Sequence, residues 1–313
     1  MNAFDEIKWT EYPISSSAAY GQCELKIGEI GYAAPRATII AGVHGDEGPW
    51  GALAIRYLLD SIKKEEILGS LRLVPVANPL AMEADSRVSP LDNLDLNRVF
   101  PGDPDGSHTQ RLAASIVEHA LDGSDYVYDL HGGGSWCVNA FGFGFQGSEE
   151  LVSSINPPFI VESTQKNGTL TGYSMRNGAK VTAIEMGGRG KRENEWAEKI
   201  ASGLRRSIRD VGIIKGEADS ELGTSRKVGP TKVLRPDQGG IFVPELDEES
   251  VGTIIEKGSI LGRVVDPVTM NCIQEFTAPF DETAILLLRH RMCVVEGGAM
   301  IYVVAPLRGK VSS

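Results

Sequence analysis

Residues 39–59, IIAGVHGDEGPWGALAIRYLL, constrain this chain more than any other stretch. An apolar run ends in a Gly-rich turn and an amphipathic pattern follows at once, which reads as strand, turn, helix. That order is the repeating half of an α/β sheet. The turn carries His44 and Glu47 three residues apart. Open α/β sheets gather their ligands at the C-terminal ends of the strands, so two metal-ligating residue types at such an end mark a candidate site. Alone, an HxxE pair is more often a surface turn, and HGDEG lacks the adjacent second His of an HxxEH metalloprotease.

A catalytic zinc takes three protein ligands and leaves a fourth position for water. The third ligand is expected from a second strand end, and YVYDLHGGG supplies it: the run Tyr126 to Leu130 reads as a buried strand followed by His131 and three glycines. His44, Glu47 and His131 then form a set with a formal charge of about +1 around one zinc per chain, which acidifies bound water and polarises a carbonyl oxygen. Hydrolysis is the natural reaction. In VTAIEMGG, Glu185 ends another apolar run before two glycines, which puts it at the same sheet edge. A carboxylate there can take a proton from water and give it to a leaving amine. Without the other motifs, an N-cap or a surface turn acid would be the better reading.

Asn97 and Arg98 follow Asp95 and Leu96 in a segment bracketed by Pro90 and the PGDPDG turn at 101–106, an ordered loop rather than a helix. Arg can hold a carboxylate through two parallel hydrogen bonds, a geometry Lys cannot reproduce. Asp95 is expected to partner Arg98 or to support the site from behind. HGDE, DLNR at 95–98, DLHGG at 129–133 and AIEMGG at 183–188 stand in one order along the chain.

In that order and rough spacing the chain resembles the succinylglutamate desuccinylase and aspartoacylase family, the acylase branch of the zinc carboxypeptidase-like hydrolases. The resemblance covers the whole chain. It implies zinc on His44, Glu47 and His131, substrate contacts from Asn97 and Arg98, and Glu185 as the catalytic carboxylate. Arg87 is the candidate to polarise the scissile carbonyl and stabilise the oxyanion, although VSPLDNL sets it further from DLNR than the family's arginine. Arg176, nine residues before Glu185, is the candidate for a substrate carboxylate and is displaced from the family register by about one residue. If Arg176 does not reach the site, the substrate need not be an acidic N-acyl amino acid.

Strand-like runs near 37–43, 71–76, 125–130 and 181–185 alternate with helix-like stretches near 49–63, 108–121 and 192–211. This predicts an α/β fold, a doubly wound mixed sheet, which the resemblance makes of the zinc carboxypeptidase type. A catalytic domain is expected over 1–215, a polar, Gly-punctuated linker over 216–230, and a small all-β domain over 231–313, built of short Val- and Ile-rich runs. EKGSILGRVVD and TAPFDETAILLL resemble the barrel-sandwich domain of biotinyl and lipoyl carriers. No modifiable Lys stands at the matching hairpin tip, so a lid or substrate-gating role is expected instead. GFGFQG at 142–147 matches the dinucleotide pattern GxGxxG, with Glu162 about twenty residues on. The following SEELVSSINPP is too short for the usual crossover helix, and the Phe-rich stretch is expected to line the acyl pocket.

A net charge of −11 without a basic cluster argues against nucleic acid as a partner. KKEE and PELDEES read as solvated faces. No apolar run is long enough to span a membrane, and MNAFDEIKWTEY lacks the layout of a signal peptide, so the expectation is a cytoplasmic protein. Cys23, Cys137, Cys272 and Cys293 lack CxxC spacing and are expected to stay reduced. His108, His119 and His290 have no metal partner nearby in sequence. The sequence therefore reads as a zinc-dependent amidohydrolase removing a small acyl group from an N-acyl amino acid or related small-molecule amine. A zinc carboxypeptidase acting on short peptides and a non-catalytic binding protein stand as alternatives, and homo-oligomer formation is left open.

Overall fold

The computed structural model describes residues 2–18, 21–216 and 224–308. A hairpin of β1 (Lys8–Ser17) and β2 (Gly21–Ile30) precedes β3 (Arg36–Ala41), and the 39–59 stretch runs as read, from β3 through a turn into α1 (Gly48–Ser61). There follow β4 (Ser70–Val74), α2 (Pro79–Glu83), α3 (His108–Ile116), β5 (Tyr126–His131) and β6 (Val138–Phe145). Then come α4 (Glu149–Ile155), β7 (Phe159–Ser163), α5 (Leu170–Arg176), β8 (Lys180–Gly187) and α6 (Glu193–Asp210). The remainder is β-structure: β9 (Arg226–Lys227), β10 (Lys232–Leu234), β11 (Gly240–Pro244), β12 (Ile254–Glu256) and β13 (Ile260–Val265). It closes with β14 (Cys272–Thr277), β15 (Glu282–Leu288), β16 (Cys293–Val295) and β17 (Tyr302–Pro306).

The main sheet has the order β1-β2-β4-β3-β5-β8-β6-β15-β17-β10, with β7 and β12 attached to β6 and β15. β4, β3, β5 and β8 are parallel to their neighbours, whereas β2 and β6 join this parallel core antiparallel, so the sheet is mixed. Strands covered on both faces read as continuous apolar runs, and RATIIA of β3 is such a run. One face packs Leu58, Tyr128, Ile184 and Leu204 beneath α1 and α6. The other packs Ile40, Val127 and Val181 against Leu112 and Ile116 of α3.

The glycines of GFGFQG have a packing role. A Cβ on Gly142 would lie 2.7 Å from Val152 Cγ2 of α4, so the missing side chain is what lets that seven-residue helix sit down on β6. The phenylalanines between the glycines face the opposite side of the sheet.

In the C-terminal part a second sheet, β14-β13-β11-β16, packs on the β12, β15 and β17 strands. The rings of Phe242 and Tyr302 meet edge to face at 5.9 Å, and Tyr302 donates its hydroxyl to the Leu261 carbonyl at 2.6 Å. These strands also continue the main sheet, because Leu287 and Leu288 of β15 pair with Asn139 and Val138 of β6. Of the expected linker, residues 217–223 lie outside the described residues, and Arg226–Lys227 pair with Phe159–Ile160 as a strand. No helix among the described residues is long and apolar enough to cross a membrane. All four cysteines are free thiols.

Candidate active site

His44 follows β3 through Gly42, whose φ of 69° lies in the left-handed region that glycine adopts without strain. Gly45 lies against the backbone of Ala81 so closely that an added Cβ would stand 2.0 Å from its carbonyl carbon, so the packing of α2 against the turn requires a glycine there. Glu47 closes a single 3-10 turn that runs straight into α1. His131 is the last residue of β5 and stands in register with Glu185 of β8. The three expected ligands therefore meet at the C-terminal ends of adjacent strands, all of them buried.

Their ligand atoms lie within 4.8 Å of one another. His44 Nδ1 is 3.0 Å from Glu47 Oε1, and His131 Nδ1 is 2.9 Å from Glu47 Oε2. Each imidazole turns its other nitrogen to a carboxylate: His44 Nε2 is 3.1 Å from Asp95 Oδ1, and His131 Nε2 is 3.0 Å from Asp129 Oδ1. The hydrogen bond to Asp95 can hold the His44 proton on Nε2 and leave Nδ1 facing Glu47, the arrangement that orients metal-ligating histidines. Asp129 lies at ion-pair distance from His131 Nε2, with both its oxygens unpaired in hydrogen bonds. His44 Nδ1 is buried without a hydrogen-bond partner. An orphaned lone pair beside a carboxylate and a second imidazole fits a divalent cation, so these residues can hold a metal.

The charges reinforce one another. Burial works against the charged form of His131, yet Asp129 and Glu47 carry its pKa well above the usual histidine value. Burial likewise opposes ionisation of Glu47, but the two imidazoles hold its carboxyl far below the usual carboxylate range. Glu185 differs. Burial pushes it up to about 7, against the opposing pull of His131. Its Oε2 accepts a hydrogen bond from Asn139 Nδ2 at 2.8 Å.

Arg87 reaches the site: its Nη1 is 3.2 Å from Glu47 Oε1 and its Nε donates to Asp95 Oδ2 at 3.1 Å. Asp95 thus serves Arg87 and His44, the supporting role that was one of the two expected of it, and does not pair with Arg98, which turns its Nη1 back onto the Asn97 carbonyl at 2.6 Å. Asn97 accepts from the Leu170 amide at 2.9 Å, which pins this loop to the start of α5. Both Asn97 and Arg98 line the cavity in front of the histidines, a space of about 810 Å³. Arg176 is the exception among the expected residues. It sits exposed at the end of α5 and donates to Asn167 at 3.0 Å, and it does not line the cavity.

Two residues escaped the sequence reading. Asp129 stands two positions before His131 on one strand, so the period of two already placed it on the same face. Asn139 carries no such signal, since its contact with Glu185 depends on the antiparallel register of β6 and β8. Phe141, Phe143 and Phe145 of the Phe-rich stretch line the cavity. Cys137 also lines it, with burial pushing its thiol up and its Sγ donating to the Gly133 carbonyl at 3.0 Å.

A mixed α/β sheet thus carries a candidate His-Glu-His metal cluster at its strand ends with a half-buried carboxylate alongside. The chain belongs to the succinylglutamate desuccinylase/aspartoacylase family, whose catalytic-domain model matches residues 33–211, more than half of its length. N-alpha-acetyl-L-2,4-diaminobutyric acid deacetylase of Halomonas elongata is 30% identical over 197 residues, a match spanning 58% of this chain and 56% of that protein. The chain thus spans little more than half the length of that curated relative. The product-bound ectoine utilization protein EutE (DoeB) of Ruegeria pomeroyi superimposes with a TM-score of 0.82 at 25% identity, covering 96% of this chain and 94% of that one. A succinylglutamate desuccinylase of Silicibacter sp. TM1040 shares the fold, with a TM-score of 0.81 at 24% identity over 96% and 95% of the two chains.

Proposed function

We propose that this chain is a zinc-dependent amidohydrolase that removes a small acyl group from an N-acyl amino acid or related amine. The observation that carries this reading is the convergence of two imidazole Nδ1 atoms and Glu47 beside Glu185, a carboxylate poised at about 7. The Halomonas relative, named as a deacetylase, supports the acyl-amine bond as the target.

His44, Glu47 and His131 would hold the metal, and Asp95 and Asp129 orient the two imidazoles. When bound there, zinc supplies Lewis-acid polarisation of the carbonyl and acidity to the attacking water. Glu185 takes a proton from that water and returns it to the departing nitrogen, a double duty suited to a carboxyl whose pKa lies near neutrality. Arg87, held by Glu47 and Asp95, presents its guanidinium to the oxygen on which negative charge develops. Asn97 fixes the loop that brings Arg98 to the cavity, where Arg98 can meet a substrate carboxylate. Arg176 is left out of this set because its side chain lies outside the cavity.

Thr231, Val233, Leu287, Met300 and Val303 of the C-terminal strands form one wall of the same cavity. A catalytic part over 1–215 and a β part from 231, joined over 216–230, would then build one cavity between them, and the two packed layers of the β part support the barrel-sandwich likeness. The decisive experiment measures amine release from acetyl, succinyl and longer acyl amino acids, with and without chelation and zinc. His44→Ala and His131→Ala should lose the metal, whereas Glu185→Gln should keep it and lose turnover by about 10²–10⁴-fold. Near-normal turnover of Glu185→Gln would overturn the mechanism.

A further inference from the structure

Across β5, β8 and β6 the residues in register on the cavity face are His131, Glu185 and Phe141. The metal-ligating side chains lie on one flank of Glu185. On the other flank stands an aromatic row, Phe141, Phe143 and Phe145, spaced two apart along β6. Its rings are contiguous: Phe141 and Phe143 meet edge to face at 5.2 Å, and Phe143 and Phe145 lie 6.4 Å apart. Val161 of β7 and the small Ala183 of β8 flank Phe143 on either side, so the row forms the floor of an apolar valley. Four residues of strand span about 13 Å, enough for the side chain of an aromatic or branched aliphatic amino acid.

Chemistry fixes which half of the substrate enters this valley. Glu185 must return its proton to the departing nitrogen, so that nitrogen lies beside Glu185, with the carbonyl carbon toward His131. Whatever the nitrogen carries then continues away from the metal ligands and over β6. No guanidinium from Arg176 reaches this space. The cations that do line the cavity beyond Arg87 are Arg98 and Lys166, enough to meet one α-carboxylate.

We propose that the amine half of the substrate bears an apolar side chain, aromatic or branched aliphatic, seated on Phe141, Phe143 and Phe145, and not a side-chain carboxylate. This rests on the amidohydrolase reading, and two readouts separate the fates of the two ideas. The first is kcat/KM of the zinc-loaded protein for N-acetyl-L-phenylalanine, N-acetyl-L-leucine, N-acetyl-L-aspartate, N-alpha-acetyl-L-2,4-diaminobutyrate and N-acetylglycine. The second is calorimetric binding of free L-phenylalanine and free L-aspartate, which needs no turnover.

The phenylalanine or leucine amide should exceed the aspartate amide at least tenfold, and L-phenylalanine should bind at least tenfold tighter than L-aspartate. Phe143→Ala should cost the phenylalanine amide about tenfold in kcat/KM, in the range that one apolar contact group supplies, while N-acetylglycine stays within threefold. Ala183→Leu, which fills the valley instead of emptying it, should give the same selective loss through KM and serves if Phe143→Ala fails to fold. Equal or faster turnover of the aspartate or diaminobutyrate compound would overturn the valley while leaving the deacylase reading intact. Tight L-phenylalanine binding without turnover of any amide would keep the valley and remove the deacylase reading. Absence of both preferences would overturn the proposal outright.

Discussion

Asn139 offers the sharpest test of how Glu185 is tuned. Its amide donates to Glu185 Oε2 at 2.8 Å, and it is itself almost fully buried. A hydrogen bond to a charged group contributes about 1.5–3 kcal/mol, and here it favours the ionised carboxylate. Asn139→Leu removes the donor at nearly constant volume. Taking the lower figure, the pKa of Glu185 should rise by about one unit, since one unit corresponds to about 1.4 kcal/mol. The ionised form is the one that accepts the proton, so the acid limb of kcat/KM should move about one pH unit upward. Below both limbs the variant should run about tenfold slower than the parent, and above both the two should converge. Asn139→Asp should move the limb further, because a second carboxylate disfavours ionisation of the first. A pH profile displaced downward in rate by the same factor at every pH, or one not displaced at all, would refute this account of Asn139.

Three further outcomes are expected. Asp129→Ala, which leaves His131 Nε2 without its carboxylate, should weaken zinc binding by about 10–100-fold in a competition against a chromophoric chelator, with the three ligands unchanged. Arg176→Ala should leave kcat/KM within about twofold of the parent on every acyl amino acid, because the exposed Arg176 does not itself line the cavity and touches it only through one hydrogen bond to the lining residue Asn167. Asp92 accepts from Ser107 Oγ and from the amide and hydroxyl of Thr109 at the start of α3, and these bonds, outweighing the cost of burial, hold its carboxyl below the usual range. A lowered carboxyl contributes stability that is complete above the ordinary carboxylate pKa and is lost as pH falls through the folded value. Asp92→Ala should therefore destabilise by about 2 kcal/mol in denaturant unfolding at neutral pH, with the gap narrowing at acid pH.

Much of the site was legible because its parts obey short-range rules. His44 and Glu47 share one turn, His131 ends an apolar run, and Glu185 precedes two glycines, so each sits at a strand terminus that the pattern alone locates. The role of Asp95 was only half legible: support from behind the site was one of two expectations, and the choice between them depends on the path of the loop between Arg87 and Asp95 and on Arg98 folding back onto Asn97. Arg176 failed for a similar reason: nine residues before Glu185 lies the far end of α5, and helix length decides whether its side chain faces the cavity. The β1–β2 hairpin lies in a stretch to which the sequence reading assigned no strand. Register across β6 and β8 is set by tertiary pairing and could not be read from either strand, which hid Asn139.

Asn139 occupies a mechanical crossroads. Its backbone pairs with Leu287 of β15, while its side chain holds Glu185. The wall contributed by the C-terminal strands and the carboxylate proposed as the base are therefore two ends of one short lever. A displacement of β15, from a bulkier substrate or a substitution far along the chain, would act first on Asn139, the residue that holds the proposed proton acceptor. Exchanging C-terminal strands between relatives would alter how fast the bond is cut as well as which substrate enters, unless the pairing at Asn139 is kept in register.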